Sequence, residues 1–223
     1  MNETNLRREM GNTNNCDYRV SLIIPIYNMA EWLDTCFQSI LNQSIDPQMV
    51  EVLMIDDGSE DNSLDIMKRY SEKYSNFKCY TKENGGPAQA RNFGIKHATG
   101  KYLMYLDPDD YLGKNTIESV CNFFDRHYDE IDVVTYKIIP IKDGEEQDLH
   151  FRYEVLKSQG VYDLTEPENS FICHTTMNTC VKNKFEKNVL FSENLFYHED
   201  QKYNIDTLKE KQKIGYCDNA EYY

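Results

Sequence analysis

The sequence predicts an α/β domain built on a mostly parallel central sheet flanked by helices. Two observations predict it. Short, nearly continuous apolar runs alternate with segments of helical periodicity over the first 140 residues, and that alternation gives parallel strands joined by crossover helices. The strand-like runs at Val20, Val50 and Tyr102 each end in polar residues or aspartates, as in open sheets that bind ligands beyond the carboxyl ends of their strands.

The elements follow in order. Val20–Pro25 reads as a strand buried on both faces. From Glu31 to Leu41, Trp32, Leu33, Cys36, Phe37, Ile40 and Leu41 recur at helical spacing and form one face. Val50–Ile55 is a second strand, stopped by Asp56-Asp57-Gly58-Ser59, and Leu64–Tyr74 is a helix. Phe77–Tyr80 is a third strand. Gly85-Gly86-Pro87 then breaks the chain, and Ala88–Ala98 resumes as a helix. Tyr102–Leu106 is a fourth strand running into Asp107-Pro108-Asp109-Asp110. Ile117–His127 is helical and Val133–Ile139 is a strand. Beyond Pro140 the pattern loosens into a polar turn region over Lys142–Asp148, short strands, loops and a helix from Glu199 to Leu208. Met1–Asp17 lacks apolar periodicity and reads as a loose tail.

Composition narrows the function. The chain has 223 residues and a net charge of −14, which weighs against a nucleic-acid backbone as partner. An acidic protein still holds an anionic ligand where a local cation or metal offsets the repulsion. The seven cysteines are scattered, odd in number and form no CxxC pair, so they read as buried thiols of a reducing compartment. No apolar signal region or membrane-spanning run is present in the sequence, and a cytoplasmic protein is expected, with room for action at the inner face of a membrane through a partner.

The polar residues after the strands carry the chemistry. Pro25, Tyr27, Asn28 and Glu31 follow the first strand, Asp56 and Asp57 the second, and Asp107, Asp109 and Asp110 the fourth. Taken singly, Asp-Asp-Gly-Ser and Asp-Pro-Asp-Asp are ordinary turn sequences. Together they bring carboxylates to one sheet edge, where like charges destabilise the fold unless a cation collects them. Hard oxygen ligands suit Mg²⁺ or Mn²⁺ rather than zinc. Such an ion serves a diphosphate leaving group. Arg91 opens onto the same edge from the helix after Gly85-Gly86, as a partner for phosphate or for one of the aspartates.

Four segments, Val20–Asn28, Asp56–Asp61, Asn84–Gly94 and Leu106–Asp110, stand in the order and approximate spacing of a bacterial family 2 glycosyltransferase, which this sequence resembles. The resemblance is firm over residues 18–112 and looser beyond Pro140. It implies a GT-A fold, with residues 18–223 a catalytic domain. Residues 18–112 form its nucleotide-sugar-binding half, and 113–223 form a variable acceptor-side half. It implies that Pro25, Tyr27 and Glu31 line the base and ribose pocket, and that Asp57 meets the base or ribose edge with Asp56 beside it. Arg91 would sit near the diphosphate, Asp107 at the ribose and Asp109 on the metal. Pro108 departs from the small or polar residue usual between those aspartates and stiffens the loop.

Within Tyr197-His198-Glu199-Asp200, the resemblance makes Asp200 the catalytic base of an inverting displacement, with Glu199 or His198 orienting it or the acceptor. His198 lacks a second histidine placed to support it as a metal ligand. The implied donor is a UDP-sugar, because Tyr27 offers a stacking face. The acceptor is a saccharide or lipid-linked glycan hydroxyl. Relatives often run on past a tyrosine-rich strand like the one ending at Tyr223, so a longer parent protein is expected.

Three other readings compete. A nucleotidyltransferase needs a basic glycine-rich loop where Tyr27-Asn28-Met29-Ala30 stands. A receiver domain is much shorter and has no use for Asp107–Asp110. A catalytically degenerate nucleotide- or carbohydrate-binding module of the same fold would have no need of Asp107, Asp109 and Asp200.

Overall fold

The computed structural model describes residues 18–147, 156, 158–169, 176–184, 188–195 and 198–223. The expected tail over residues 1–17, and Tyr197 of the Tyr197–Asp200 segment, lie outside these residues. The elements are β1 (Val20–Ile26), α1 (Leu33–Leu41), β2 (Val50–Asp56), α2 (Ser63–Lys73), β3 (Phe77–Thr81), α3 (Pro87–His97) and β4 (Tyr102–Tyr105). They continue with α4 (Thr116–Arg126), β5 (Val133–Ile138), a hairpin of β6 (Ile141–Lys142) and β7 (Glu145–Glu146), β8 (Gly160–Asp163), β9 (Thr179–Lys182), α5 (Glu199–Leu208) and β10 (Lys213–Tyr222).

Eight strands form one sheet in the order β3-β2-β1-β4-β9-β5-β10-β8. The run β3-β2-β1-β4 is parallel throughout, and so is the β5–β10 pair. The expected parallel sheet is interrupted by β9, which lies antiparallel to both β4 and β5, and β8 closes the far edge antiparallel to β10. Thr179–Lys182 offers four residues inside polar surroundings, too short a run to announce itself as a central strand.

The continuous apolar runs are explained by cover on both faces. Leu22, Ile24 and Ile26 of β1 join Phe37 of α1, Met67 of α2 and Phe124 of α4 in one core cluster. Ile23 of β1 joins Ala90 of α3 and Tyr203 of α5 in a second cluster. Each such aliphatic side chain, once buried, contributes about 1.5–3 kcal/mol. Close approach sets α3 against β1: a Cβ on Gly94 would come within 2.5 Å of the Ile23 side chain.

At the amino edge of the sheet, Glu51 of β2 is fully buried. Its carboxylate accepts from Lys78 Nζ at 2.5 Å, from the Thr99 N–H at 2.8 Å, from Thr99 Oγ1 at 3.0 Å and from the Ser21 hydroxyl. Burial alone would raise its pKa, but the bonds from Lys78, Ser21 and Thr99 outweigh it and hold the carboxyl below its ordinary range. This network joins β1, β2 and β3 to the turn after α3, far along the strands from their carboxyl ends. Among the described residues no helix is long and apolar enough to cross a membrane.

Candidate active site

The strand order reverses direction at β1: the chain goes from β1 to β2 on one side and returns to β4 on the other. Such a switch point opens a crevice beyond the carboxyl ends of the two strands. A cleft of about 350 Å³ lies there, lined by Pro25, Tyr27, Asp57, Arg91, Asp107 and Asp109, with Ile26, Met29, Pro87, Ala90 and Pro108 between them. Tyr27 keeps 44% of its surface exposed, so its ring is available to a ligand. Glu31 is exposed ahead of α1 and is not among the lining residues.

The paired aspartates after β2 do different things. Asp56 ends the strand, and its oxygens are taken by the Ser59 N–H at 3.0 Å and the Thr81 hydroxyl at 2.9 Å. It holds the turn and does not line the cleft. Asp57 does line it. Its carboxylate accepts from the N–H of Gly85 and, at 2.7 Å, of Gly86, and from Lys82 Nζ at 2.5 Å. Gly86 has φ +86°, in the left-handed region, which turns its N–H toward Asp57 at little cost. Lys82 is therefore a cation at the edge of the site. Nothing in its sequence neighbourhood marks it.

Arg91, on α3, is nearly buried. It donates to Asp107 Oδ1 at 2.9 Å and lies 3.7 Å from Glu199 Oε1. Its Nε is the one buried side-chain nitrogen or oxygen among the described residues without a hydrogen-bond partner. One guanidinium thus touches the loop after β4 and the first turn of α5, and keeps a donor free beside the cleft.

Asp107–Asp110 forms a turn in which the Asp110 N–H donates to the Asp107 carbonyl at 3.1 Å, and Pro108 is buried beneath it. Asp109 is exposed at the cleft. Burial pushes the Asp110 carboxyl up to about 6; Tyr222 opposes this, and Asp109 and Asp107 add to it. The Tyr222 hydroxyl donates to Asp110 Oδ2 at 2.7 Å and accepts from the Asp107 N–H at 3.0 Å.

The donor set fits a hard divalent ion. It is all oxygen, it repels itself, and its exposed member is Asp109. Among the described residues no group of three or more His, Cys, Asp or Glu could enclose a metal. An ion held here would complete its shell with phosphate oxygens and water, as Mg²⁺ does in nucleotide sites.

Helix α5 delivers Glu199 and Asp200 in its first turn, both half-buried. His198, just before it, has φ +67°, an uncommon left-handed conformation for a residue with a Cβ. The helix is anchored by Tyr203, whose ring stacks on Phe191 with centroids 4.0 Å apart and whose hydroxyl meets that of Tyr105 at 2.6 Å. Asn92, next to Arg91, grips the same loop through the Phe191 N–H at 2.8 Å and carbonyl at 3.0 Å and through Glu193 at 2.9 Å. A smaller cavity of about 60 Å³ near the other end of α5 is closed by matched charges, with Lys182 and Lys184 on Asp132 at 3.0 and 3.1 Å.

A parallel sheet with a carboxylate- and arginine-lined cleft at its switch point is the architecture of a GT-A glycosyltransferase. The profile described as "Glycosyl transferase family 2" matches residues 21–188, and the chain belongs to that family. It is 36% identical over 217 residues to the minor teichoic acid biosynthesis protein GgaB of Bacillus subtilis, covering 95% of this chain and 23% of that protein. It is 33% identical to an uncharacterized glycosyltransferase of Haemophilus influenzae, covering 90% of this chain and 76% of that one. Among solved structures, S. aureus TarS 1–349 in complex with UDP-GlcNAc superposes with a TM-score of 0.76 at 25% identity, over 92% of this chain and 57% of that one. The chain therefore spans less than two thirds of the length of GgaB and of the solved TarS chain.

Proposed function

We propose that this chain is the catalytic domain of an inverting, metal-dependent glycosyltransferase. It passes a sugar from a UDP-sugar to a hydroxyl of a cell-surface polysaccharide or glycan. The observation that carries the reading is Arg91. A single buried guanidinium lines the donor cleft, pairs with Asp107 and reaches Glu199, the residue before Asp200. That geometry supports reading Arg91 as the diphosphate-binding group and α5, which carries Asp200, as the element that bears the base. The names of the relatives support the acceptor class: GgaB is named for teichoic acid biosynthesis. The solved TarS complex with UDP-GlcNAc supports the donor class.

In this reading Tyr27 stacks on the base, and the Asp57 carboxylate takes a ring or ribose donor at the expense of one of its present bonds. Arg91 faces the diphosphate, and Asp107 the ribose. Asp109 would hold Mg²⁺ or Mn²⁺, which supplies positive charge to the leaving diphosphate. Asp200 removes the proton from the acceptor hydroxyl as that oxygen attacks the anomeric carbon from the face opposite the diphosphate. One base and one in-line displacement invert the anomeric centre. Arg91, 3.7 Å from Glu199, ties the first turn of α5 to the cleft.

Calorimetry tests the donor site directly. UDP binds to the protein, and binding strengthens when Mn²⁺ or Mg²⁺ is added. Equal affinity with and without metal overturns the metal site. Metal-strengthened binding without any sugar transfer, across a panel of UDP-sugars and glycan acceptors, would make the chain a binding module of the same fold.

A further inference from the structure

We propose that Tyr222 is a positioning residue for the acidic loop Asp107–Asp110, and that the loop is preset by the C-terminal strand β10 before any ligand arrives. The inference rests on the reading of Asp109 as a metal-holding residue. The argument begins with the backbone. The loop leaves β4 and would be free to bend at its exposed end, yet the segment that follows it is sewn to the end of β10. The Tyr111 N–H donates to the Tyr223 carbonyl and the Tyr223 N–H to the Tyr111 carbonyl, both at 2.9 Å. The Gly113 N–H donates to the Glu221 carbonyl at 2.9 Å, and Leu112 pairs with Tyr222 in an antiparallel bridge. The rings of Tyr111 and Tyr223 stack at 4.9 Å, six degrees from parallel.

That seam places the buried Tyr222 side chain beneath the loop, where its hydroxyl uses both of its hydrogen-bonding roles. It accepts from the first residue of the loop, Asp107, and donates to the last, Asp110. Both ends of the four-residue turn are thus fixed to one oxygen atom, and Asp109 stands between them. Asp110 is thus met by a neutral hydroxyl, while Arg91 pairs with Asp107 and approaches Glu199. Tyr222 is not among the residues that line the cleft. It acts through the loop, as partners behind metal ligands do.

Tyr222→Phe keeps the ring and removes the oxygen. The expected result is a ten- to hundredfold loss of Mn²⁺ affinity, the range for outer-shell partners. It is read by electron paramagnetic resonance of free Mn²⁺ in the presence of UDP, while UDP binding in metal-free buffer is unchanged. Tyr216→Phe, a buried tyrosine of the same strand, serves as the control and leaves Mn²⁺ affinity at the wild-type value. Equal losses in the two variants would make the effect one of general stability and overturn the proposal. So would wild-type Mn²⁺ affinity in Tyr222→Phe. Hydrogen exchange on the unmodified protein gives a test that needs no variant: the amides of Asp107, Asp110 and Tyr111 are protected without ligand, and exchange at the rate of an open loop overturns the proposal. If wild-type protein binds UDP equally with and without metal, the underlying metal reading has failed instead, and the two failures are told apart.

Discussion

The two halves of the molecule, which the proposed function assigns to donor and acceptor, achieve order by different means. In the donor half, β3-β2-β1-β4 are parallel neighbours, and the site residues hang from strand ends whose positions the sheet fixes. Asp57 is held by two backbone N–H groups, and Asp56 by the turn it closes. In the acceptor half, the sheet mixes directions, and α5 depends on side-chain ties: Arg91 to Glu199, Asn92 to the loop at Phe191, Tyr105 to Tyr203. The difference teaches where variation is tolerated. Asp56 and Asp57 are held largely by backbone N–H groups, where a change of neighbouring side chain leaves the hold intact, whereas α5 is held by side chains that a single substitution removes.

The comparison is broken most sharply at Asp200. Asp200→Asn keeps size and reach but cannot take a proton at neutral pH. Transfer should fall by about a hundred- to ten-thousandfold, with metal-dependent UDP binding nearly intact. Rates and calorimetry on one preparation check this. Loss of nucleotide binding would place Asp200 in the donor half, and wild-type transfer would remove it from the mechanism.

Asp109→Ala attacks the other half. Turnover is expected to drop by about a hundred- to a thousandfold, as when one preorganised electrostatic group is removed. The melting temperature should be equal to or above that of the wild type, because a member of a self-repelling cluster is gone. Near-normal turnover with an unchanged metal requirement would assign the ion to another residue.

The third prediction concerns the donor half's foundation rather than its chemistry. Glu51→Gln removes the charge from a buried acceptor and should cost about 1–3 kcal/mol of stability, read as a shift of the denaturant midpoint. Because the folded pKa of Glu51 lies below its unfolded value, its contribution is complete above about pH 4.5. It is lost as the pH falls through the lower folded value. The acid limb of the stability curve should therefore be shallower in Glu51→Gln than in the wild type. An identical limb would mean that Lys78 and Thr99 compensate without the charge.

Much of the donor half was legible because one physical pattern repeats there. Strands covered on both faces must be apolar throughout, so β1, β2 and β4 announced themselves, and the residues that stop them had to be the polar ones. The GT-A fold and the family followed from those segments. The acceptor half gave fewer signals. The sequence marks helix α5 to its observed ends, but β9 is four residues long, and of β10 only the tyrosine-rich end near Tyr222 is marked. At the polar turn region expected over Lys142–Asp148, Ile141–Lys142 and Glu145–Glu146 pair as a hairpin, with Asp143 and Gly144 both at positive φ, and the Asp-Gly pair is its signal in the sequence. Lys82, Asn92 and Tyr222 carry site geometry through long-range side-chain bonds, and a contact between residues 115 positions apart, like that of Tyr222 with Asp107, leaves no local pattern. Asp56 shows the converse: its place beside Asp57 in the sequence does not say that its oxygens are taken by Ser59 and Thr81.

The seam between Tyr111–Gly113 and the end of β10 also orders events in time. Tyr222 lies 112 residues after Asp110 in the chain. At a synthesis rate of about 5–20 residues per second, roughly 6–22 s separate the two on the ribosome. During that interval the acidic loop has left the ribosome's active centre without its clamp, and four carboxylates, Asp57, Asp107, Asp109 and Asp110, are already present in the growing chain. The parallel strands that carry them are made before the strand that holds the loop. A ribosome-stalled fragment ending before β10 would carry the acidic loop without the Tyr222 hydroxyl that ties its two ends.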